Sequence, residues 1–194
     1  MKLRDRDAIV VDENIIFRVY GYFHPPGGYI CDVEYVPSEI FKSNDPRAPR
    51  QAGSEIFYKF YSDEGLRFIL QNYPKYTVHY KPLQRRLVGV YEKYIRKTRK
   101  PEWKLQRLLR ETPKDELLKA LHHVIEIVTS RSGLSSRNFG VFGSLLHGFY
   151  HPQFSDIDLI VYGSRQLTRL REMLKELYCE QDSPLKNEFE RHES

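Results

Sequence analysis

The run from residue 138 to residue 162 reads Asn138-Phe139-Gly140-Val141-Phe142-Gly143-Ser144-Leu145-Leu146-His147-Gly148-Phe149-Tyr150-His151-Pro152-Gln153-Phe154-Ser155-Asp156-Ile157-Asp158-Leu159-Ile160-Val161-Tyr162. Phe139 to Phe142 is short and apolar, as a buried strand is, and Gly143-Ser144 ends it where glycine lets the backbone turn sharply. Ser144 is placed to cap a following helical turn, and free N–H groups beside a hydroxyl suit a phosphate oxygen. After a loop around Pro152, Asp156 to Tyr162 forms a second strand. Side chains alternate along a strand, so Asp156 and Asp158 project from the same face. Two carboxylates side by side on an apolar strand are costly unless a cation neutralises them, and hard oxygen ligands at this spacing suit Mg²⁺ or Mn²⁺. A metal pair held there would activate a hydroxyl nucleophile and stabilise a leaving pyrophosphate.

Upstream of this run, Thr112 is placed to cap a helix with Pro113 in its first turn and Asp115 completing a capping box. Leu117, Leu118, Leu121, Val124, Ile125 and Val128 supply the buried face of that helix, and Gly133 stops it. The first third reads as β structure. Ala8–Val11, Ile15–Phe23 and Tyr29–Val36 are strand-like, and the last two are joined by the turn His24-Pro25-Pro26-Gly27-Gly28. In the third run Tyr29, Cys31, Val33 and Tyr35 share one face, with Asp32 and Glu34 on the other. Residues 42–54 have no apolar period and read as a loop. Glu55 to Tyr61 is a further strand. A short helix starting at Ser62-Asp63-Glu64 would present Leu66, Ile69, Leu70 and Tyr73 on one side. From Leu83, the recurrence of Leu87, Val90 or Tyr91, and Tyr94 predicts an amphipathic basic helix. The expectation is an α+β protein. A β-rich domain over 1–80 and a basic helical connector over 81–111 precede a domain with a short mixed sheet over 112–194.

The chain has 194 residues, of which 40% are hydrophobic and 29% charged, enough apolar content for one or two folded domains. No apolar run is long enough to span a bilayer and the first residues lack a secretory core, so the expected address is cytoplasmic, with no membrane partner. Cys31 and Cys179 stand alone, which signals neither a disulfide framework nor a zinc site. The formal net charge of +5 is uneven, because residues 81–110 hold eleven Lys or Arg against Glu92 and Glu102. Arg85, Arg86, Lys93, Arg96, Lys97 and Lys100, interleaved with Tyr91, Tyr94 and Trp103, are therefore candidates for binding nucleic acid through phosphate contacts and stacking.

The ordered set Gly143-Ser144, Gly148 and Ser155-Asp156-Ile157-Asp158-Leu159 resembles the signature of the DNA polymerase beta-like nucleotidyltransferase superfamily, including the minimal nucleotidyltransferases of prokaryotes. The resemblance covers residues 113 to about 180 and ends in a helix from Ser164 to Tyr178 carrying Leu170, Leu174 and Leu177. It implies transfer of a nucleoside monophosphate from a nucleoside triphosphate to a hydroxyl, with RNA as a candidate acceptor. Gly143 and Ser144 would contact the triphosphate, and Asp156 and Asp158 would hold two Mg²⁺ or Mn²⁺ ions and serve as the catalytic pair. The family also places a third carboxylate on a later strand. Glu180 to Ser194 contains no convincing strand, and Asp182, Glu188 and Glu190 sit in a polar tail.

Each feature has a plainer reading. An isolated Asp-x-Asp is usually a solvated strand face, a lone Gly-Ser a turn and a basic helix a wetted surface. His147 and His151 would then merely line their loop, and His122 and His123 would be structural. The missing third carboxylate keeps open a catalytically inactive module of the same fold that binds nucleic acid or nucleotide, or that serves as an interaction partner.

Overall fold

The computed structural model describes residues 2–186. In chain order its elements are β1 (Ala8–Val10), β2 (Ile16–Val19), β3 (Gly28–Pro37), β4 (Pro49–Ala52), β5 (Glu55–Lys59), α1 (Glu64–Asn72), β6 (Thr77–Tyr80), β7 (Arg85–Tyr91), β8 (Lys97–Arg99), α2 (Pro101–Arg110), α3 (Glu116–Ser132), β9 (Phe139–Val141), α4 (Gly143–His147), β10 (Leu159–Val161) and α5 (Ser164–Tyr178). The class is α+β, as the sequence predicts. The first eight strands form one antiparallel sheet in the order β4-β5-β3-β2-β1-β8, with β7 joining β3 to β6. The remaining two strands form an antiparallel pair, not a mixed sheet, in the register Leu159↔Val141 and Val161↔Phe139.

The long strand β3 organises the large sheet. It pairs with β2 along one edge, while on the other its start pairs with β7 and its end with β5. Opposite β2 the register passes from Phe17↔Val33 to Ile16↔Tyr35, so β3 carries one extra residue, Glu34, against two consecutive residues of β2. Such a bulge reverses which face the following side chain takes. Val33 lies in the core beneath α1 with Phe17, Phe68 and Ile69, whereas Tyr35 lies on the opposite face with Ile16, Phe57, Leu146 and Phe149. The expectation that Tyr35 shares a face with Val33 fails for this reason.

Other local expectations shift. No α-helix forms between Leu83 and Lys97; Arg85–Tyr91 is a strand, Glu92–Tyr94 is a single 3₁₀ turn, and the α-helical part of the basic stretch is Pro101–Arg110. Helical spacing and strand alternation compete in this run, and Val88 and Val90 fit the strand. Gly89 between them settles the matter, because a Cβ there would run into the Tyr29 carbonyl and the Val78 side chain. Within the expected loop 42–54, Pro49–Ala52 forms a hairpin with β5, turning at Gly53 with φ 64°. In α1 the buried side chains are Phe68 and Ile69, and Leu66 and Leu70 face solvent. The helix capped at Thr112 begins later: Asp115 is its N-cap, accepting from the Leu118 N–H at 2.9 Å, and Gly133 ends it at φ 67°.

A second core gathers Leu105 and Leu108 of α2, Leu118, Leu121, Ile125 and Val128 of α3, Phe139 and Val141 of β9, and Met173 and Leu177 of α5. Helix α2 lies against β9 at Gly140, where a Cβ would come within 2.7 Å of Pro101. The two cores are tied by charge as well as by packing. Lys100, just before α2, is buried with its ammonium on the carboxylate of Asp7, itself fully buried. Arg4 pairs with Glu102, which also accepts from the Tyr162 hydroxyl at 3.1 Å, and Arg4 stacks 4.0 Å over the Tyr162 ring.

Removing one partner of a buried ion pair leaves the other uncompensated, at a typical cost of about 3–5 kcal/mol. Lys100→Met should lose about that much unfolding free energy in urea, and combining it with Asp7→Leu should recover most of the loss. A single variant as stable as the parent would show that the pair is not what secures this junction.

Candidate functional site

Where the face of the sheet bearing Tyr35 meets the segment after β9, a cleft of about 700 Å³ opens. One wall carries Gly143, Ser144, Asp156 and Asp158, the residues that the sequence singles out, and the other carries Arg47, Arg50 and Lys59 from β4, β5 and the turn before them. Gly143, two residues past β9 and the first residue of α4, has φ 60°, a conformation that disfavours any residue with a Cβ. A Cβ there would also collide with the Asp158 carboxylate. The turn and the acid therefore form one packed unit. Ser144 lies inside the first turn of α4, whose N-cap position belongs to Phe142 and has no side-chain cap. Its hydroxyl is thus not spent on capping, contrary to expectation.

Asp158 sits at the entry to β10, where its carbonyl accepts from the Phe142 N–H at 3.0 Å. Asp156, exposed, precedes it by two residues in a loop braced by Ser155, whose hydroxyl accepts from the His151 N–H at 2.8 Å. The Asp158 carboxyl is raised above its ordinary range by partial burial and by the charge of Asp156, with Lys59 opposing. Neither carboxylate forms an ion pair among the described residues. No cluster of three or more His, Cys, Asp or Glu suited to a metal occurs among the described residues, so Asp182 does not join the pair. Glu188 and Glu190 lie outside the described residues.

His147 does not line the loop. It is buried at the end of α4, with Nδ1 2.9 Å from the Arg99 guanidinium and Nε2 3.5 Å from Glu34, long for a hydrogen bond. Arg99 can only donate, so Nδ1 accepts and the ring proton resides on Nε2, facing Glu34. Burial pushes the imidazole below its usual range, with Glu34 opposing and Arg99 reinforcing. Burial alone would push the Glu34 carboxyl up, but the His147 N–H and Arg18 outweigh it and hold the group ionised. His151 stacks on Phe154 at 4.7 Å at the cleft wall, and His122 is structural, with Nε2 3.0 Å from the Leu108 carbonyl.

The basic candidates lie elsewhere. None of Arg85, Arg86, Lys93, Arg96, Lys97, Lys100 and Trp103 lines the cleft. Arg85, Arg86, Lys93, Arg96 and Lys97 are exposed, and Trp103 is 59% exposed on α2. Lys100 is removed from any binding surface by its burial against Asp7. Arg50, Lys59 and Glu34 were missed from sequence. Arg50 lies in a stretch without apolar period, Lys59 at the end of a strand that is legible but whose single lysine carries no signal by itself, and Glu34 in a bulge that no local pattern announces.

The nucleotidyltransferase domain family has a profile that matches residues 121–191, a segment containing the Gly-Ser turn and both aspartates. This segment is a nucleotidyltransferase-type domain, in agreement with the motif resemblance. An uncharacterized protein of Methanocaldococcus jannaschii is 25% identical over 192 residues, covering 97% of this chain and 56% of its own length, so the chain spans little more than half of that relative. No solved structure matches the chain. No helix among the described residues is long and apolar enough to cross a membrane.

Two outcomes follow. Gly143→Ala should cost about 1–2 kcal/mol of stability from backbone strain alone, and should displace Asp158 in a crystal structure of the variant. A neutral substitution would mean that the turn is not constrained. For His147, a folded-state pKa below the unfolded one means that stability is fully present above the ordinary histidine value and is lost as pH falls through it. Unfolding free energy should therefore drop between pH 7.5 and pH 5.5, and His147→Gln should flatten that slope. His24, also held low by burial, contributes in the same direction, and the raised carboxyls of Asp7 and Asp158 act in the opposite one. An unchanged slope would place a protonated ring at position 147.

Proposed function

We propose that this protein is a divalent-metal-dependent nucleotidyltransferase that moves a nucleoside monophosphate from a nucleoside triphosphate to a hydroxyl acceptor, with RNA as the candidate acceptor. The observation that carries this reading is the packing of the Gly143-Ser144 turn directly against Asp158, with Asp156 beside it, in one cleft of a nucleotidyltransferase-type domain. Two uncommitted carboxylates two residues apart, the charge of Asp156 raising the pKa of Asp158, favour a bound cation, and Mg²⁺ or Mn²⁺ needs only one or two carboxylates when water and phosphate oxygens complete its shell. The donor set therefore fits the ion, and Asp156 and Asp158 would hold it. A cation there supplies charge neutralisation at the phosphates and acidifies the acceptor hydroxyl.

The chain's own residues do the rest. The free amides at the Gly143-Ser144 turn and the Ser144 hydroxyl offer donors to phosphate oxygens without backbone rearrangement. The rigid turn fixes the distance between these donors and the two carboxylates, which is the orientational part of catalysis. In the overall step the acceptor O–H bond breaks, its proton passing to water, and its oxygen bonds to the α-phosphorus. The bond from that phosphorus to the bridging oxygen breaks, and pyrophosphate leaves with the electron pair. Arg85, Arg86, Lys93, Arg96 and Lys97 are exposed outside the cleft and offer phosphate contacts to an RNA acceptor.

A second reading is favoured by the absence of a third carboxylate beside Asp156 and Asp158 among the described residues: a module that binds nucleotide or nucleic acid without turnover. The two readings separate in one assay with labelled nucleoside triphosphates, Mg²⁺ or Mn²⁺, and RNA acceptors. Transfer should be detected, and Asp156→Asn with Asp158→Asn should lower it by about a thousandfold or more. Transfer that survives the double substitution, or none with any nucleotide, would remove the catalytic reading.

A further inference from the structure

Opposite the two aspartates the cleft is lined by cations that come from the amino-terminal sheet, and the three differ in how far their charge is already used. Arg47 is spent: its guanidinium pairs with both oxygens of Asp45, the closest contact being 2.7 Å. Arg50 donates to the carbonyls of Arg47 and Pro49 and lies 3.4 Å from the Tyr61 hydroxyl, contacts that orient the guanidinium without neutralising it. Lys59, half-buried, forms no ion pair among the described residues, and its ammonium lies 5.6 Å from the Tyr61 ring. Two cations without an ion-pair partner among the described residues thus face two carboxylates without one across one cavity, with the charge of Lys59 felt at Asp158 and Glu34.

We propose that Arg50 and Lys59 form a polyphosphate clamp that grips the triphosphate of the nucleotide from the wall opposite Gly143, Ser144, Asp156 and Asp158, so that the amino-terminal sheet supplies half of the nucleotide site. The proposal rests on the reading of the cleft as a nucleotide site. The aspartate wall repels a polyanion, and even with a cation bound it offers that polyanion few direct donors. Arg50 presents a planar fork suited to paired phosphate oxygens, and Lys59 a compact charge that can follow the leaving pyrophosphate. The spacing between the walls is set by apolar packing. Lys59 sits in register with Tyr35, and its strand neighbour Phe57 packs at 4.9 Å on Phe149, which follows α4. The clamp is therefore preorganised, which limits the entropy lost on binding.

The test is a calorimetric titration of the full chain with inorganic tripolyphosphate in the presence of Mg²⁺, a probe that carries no base and makes no assumption about which nucleotide is used. The parent protein should bind it, more weakly as salt rises. Arg50→Ala and Lys59→Ala should each weaken binding by about tenfold, Lys59→Arg should retain most of it, and Arg50→Lys, which keeps the charge and loses the fork, should fall between parent and Arg50→Ala. Thermal unfolding of each variant checks the fold, and if an alanine variant is unfolded the charge-preserving pair compared with Lys59→Gln decides. Tripolyphosphate binding that is absent, or unchanged in the variants, overturns the clamp. So does loss of RNA binding alone in these variants, which would make the two cations an acceptor site. If tripolyphosphate binding depends on Arg50 and Lys59 but no nucleotidyl transfer occurs, the clamp stands and the transferase reading falls. If transfer occurs and depends on Asp156 and Asp158 while the cation variants keep the parent affinity, the reverse holds.

Discussion

The packing of Tyr35 and Phe57 on Leu146 and Phe149 is the contact on which the rest of the site depends. It joins an antiparallel sheet to a helix-rich unit, each with its own core, and it sits directly behind the cleft. Tyr35 meets both His147 and Phe149 edge-on, at 5.1 and 5.0 Å between ring centroids. Within this apolar layer Glu34, His147 and Arg99 form a small polar knot. His147 accepts from Arg99 through Nδ1 and turns Nε2 toward the Glu34 carboxylate, an arrangement that depends on how the sheet and α4 are placed. The apolar contact supplies most of the driving force, and the knot supplies the register.

Much of this was legible in the residues, in proportion to how local the signal was. The Gly-Ser turn, the helix ending at Gly133 and the helix from Ser164 read correctly because each is written in a few adjacent residues, whereas the strand expected over Asp156–Tyr162 is only Leu159–Val161 and both aspartates lie in the loop that enters it. The segment around Val88 misread because a helical and a strand period both fit it, and only the close approach of Tyr29 and Val78 to Gly89 decides between them. Lys100 looked like part of a basic surface because its partner, Asp7, lies ninety-three residues away. The cleft's second wall was invisible for the same reason: Arg50 and Lys59 become site residues only when the sheet docks on α4. Sequence patterns disclose the half of a site built on one turn and one strand, and conceal the half delivered by tertiary contact.

The cleft concentrates features that cost stability elsewhere. Gly143 adopts a left-handed conformation, and the two carboxylates and the two cations opposite them form no ion pair among the described residues. Elsewhere several of the described cations have partners: Arg4 with Glu102, Arg18 with Asp32, Arg131 with Glu180, Lys75 with Glu13. An arrangement in which opposite charges are held apart across a cavity, when they could relax onto each other or onto nearby groups, stores unsatisfied electrostatic potential for a ligand that carries both signs. A metal-triphosphate complex is such a ligand.

The bulge at Glu34 carries a further implication. Because a single inserted residue in β3 decides which way Tyr35 points, the length of that strand matters as much as its composition. Deleting one residue between Cys31 and Glu34, Asp32 for example, would leave Glu34 and Tyr35 themselves unchanged, yet it would turn Tyr35 toward the wrong core and withdraw Glu34 from His147. The roof of the cleft would be lost without any change to a residue that lines its acidic wall. In chains descended from a common ancestor with this one, the number of residues between Cys31 and Pro37 should therefore be held more tightly than their identity, and a change in that number would mark a protein that has given up this cleft.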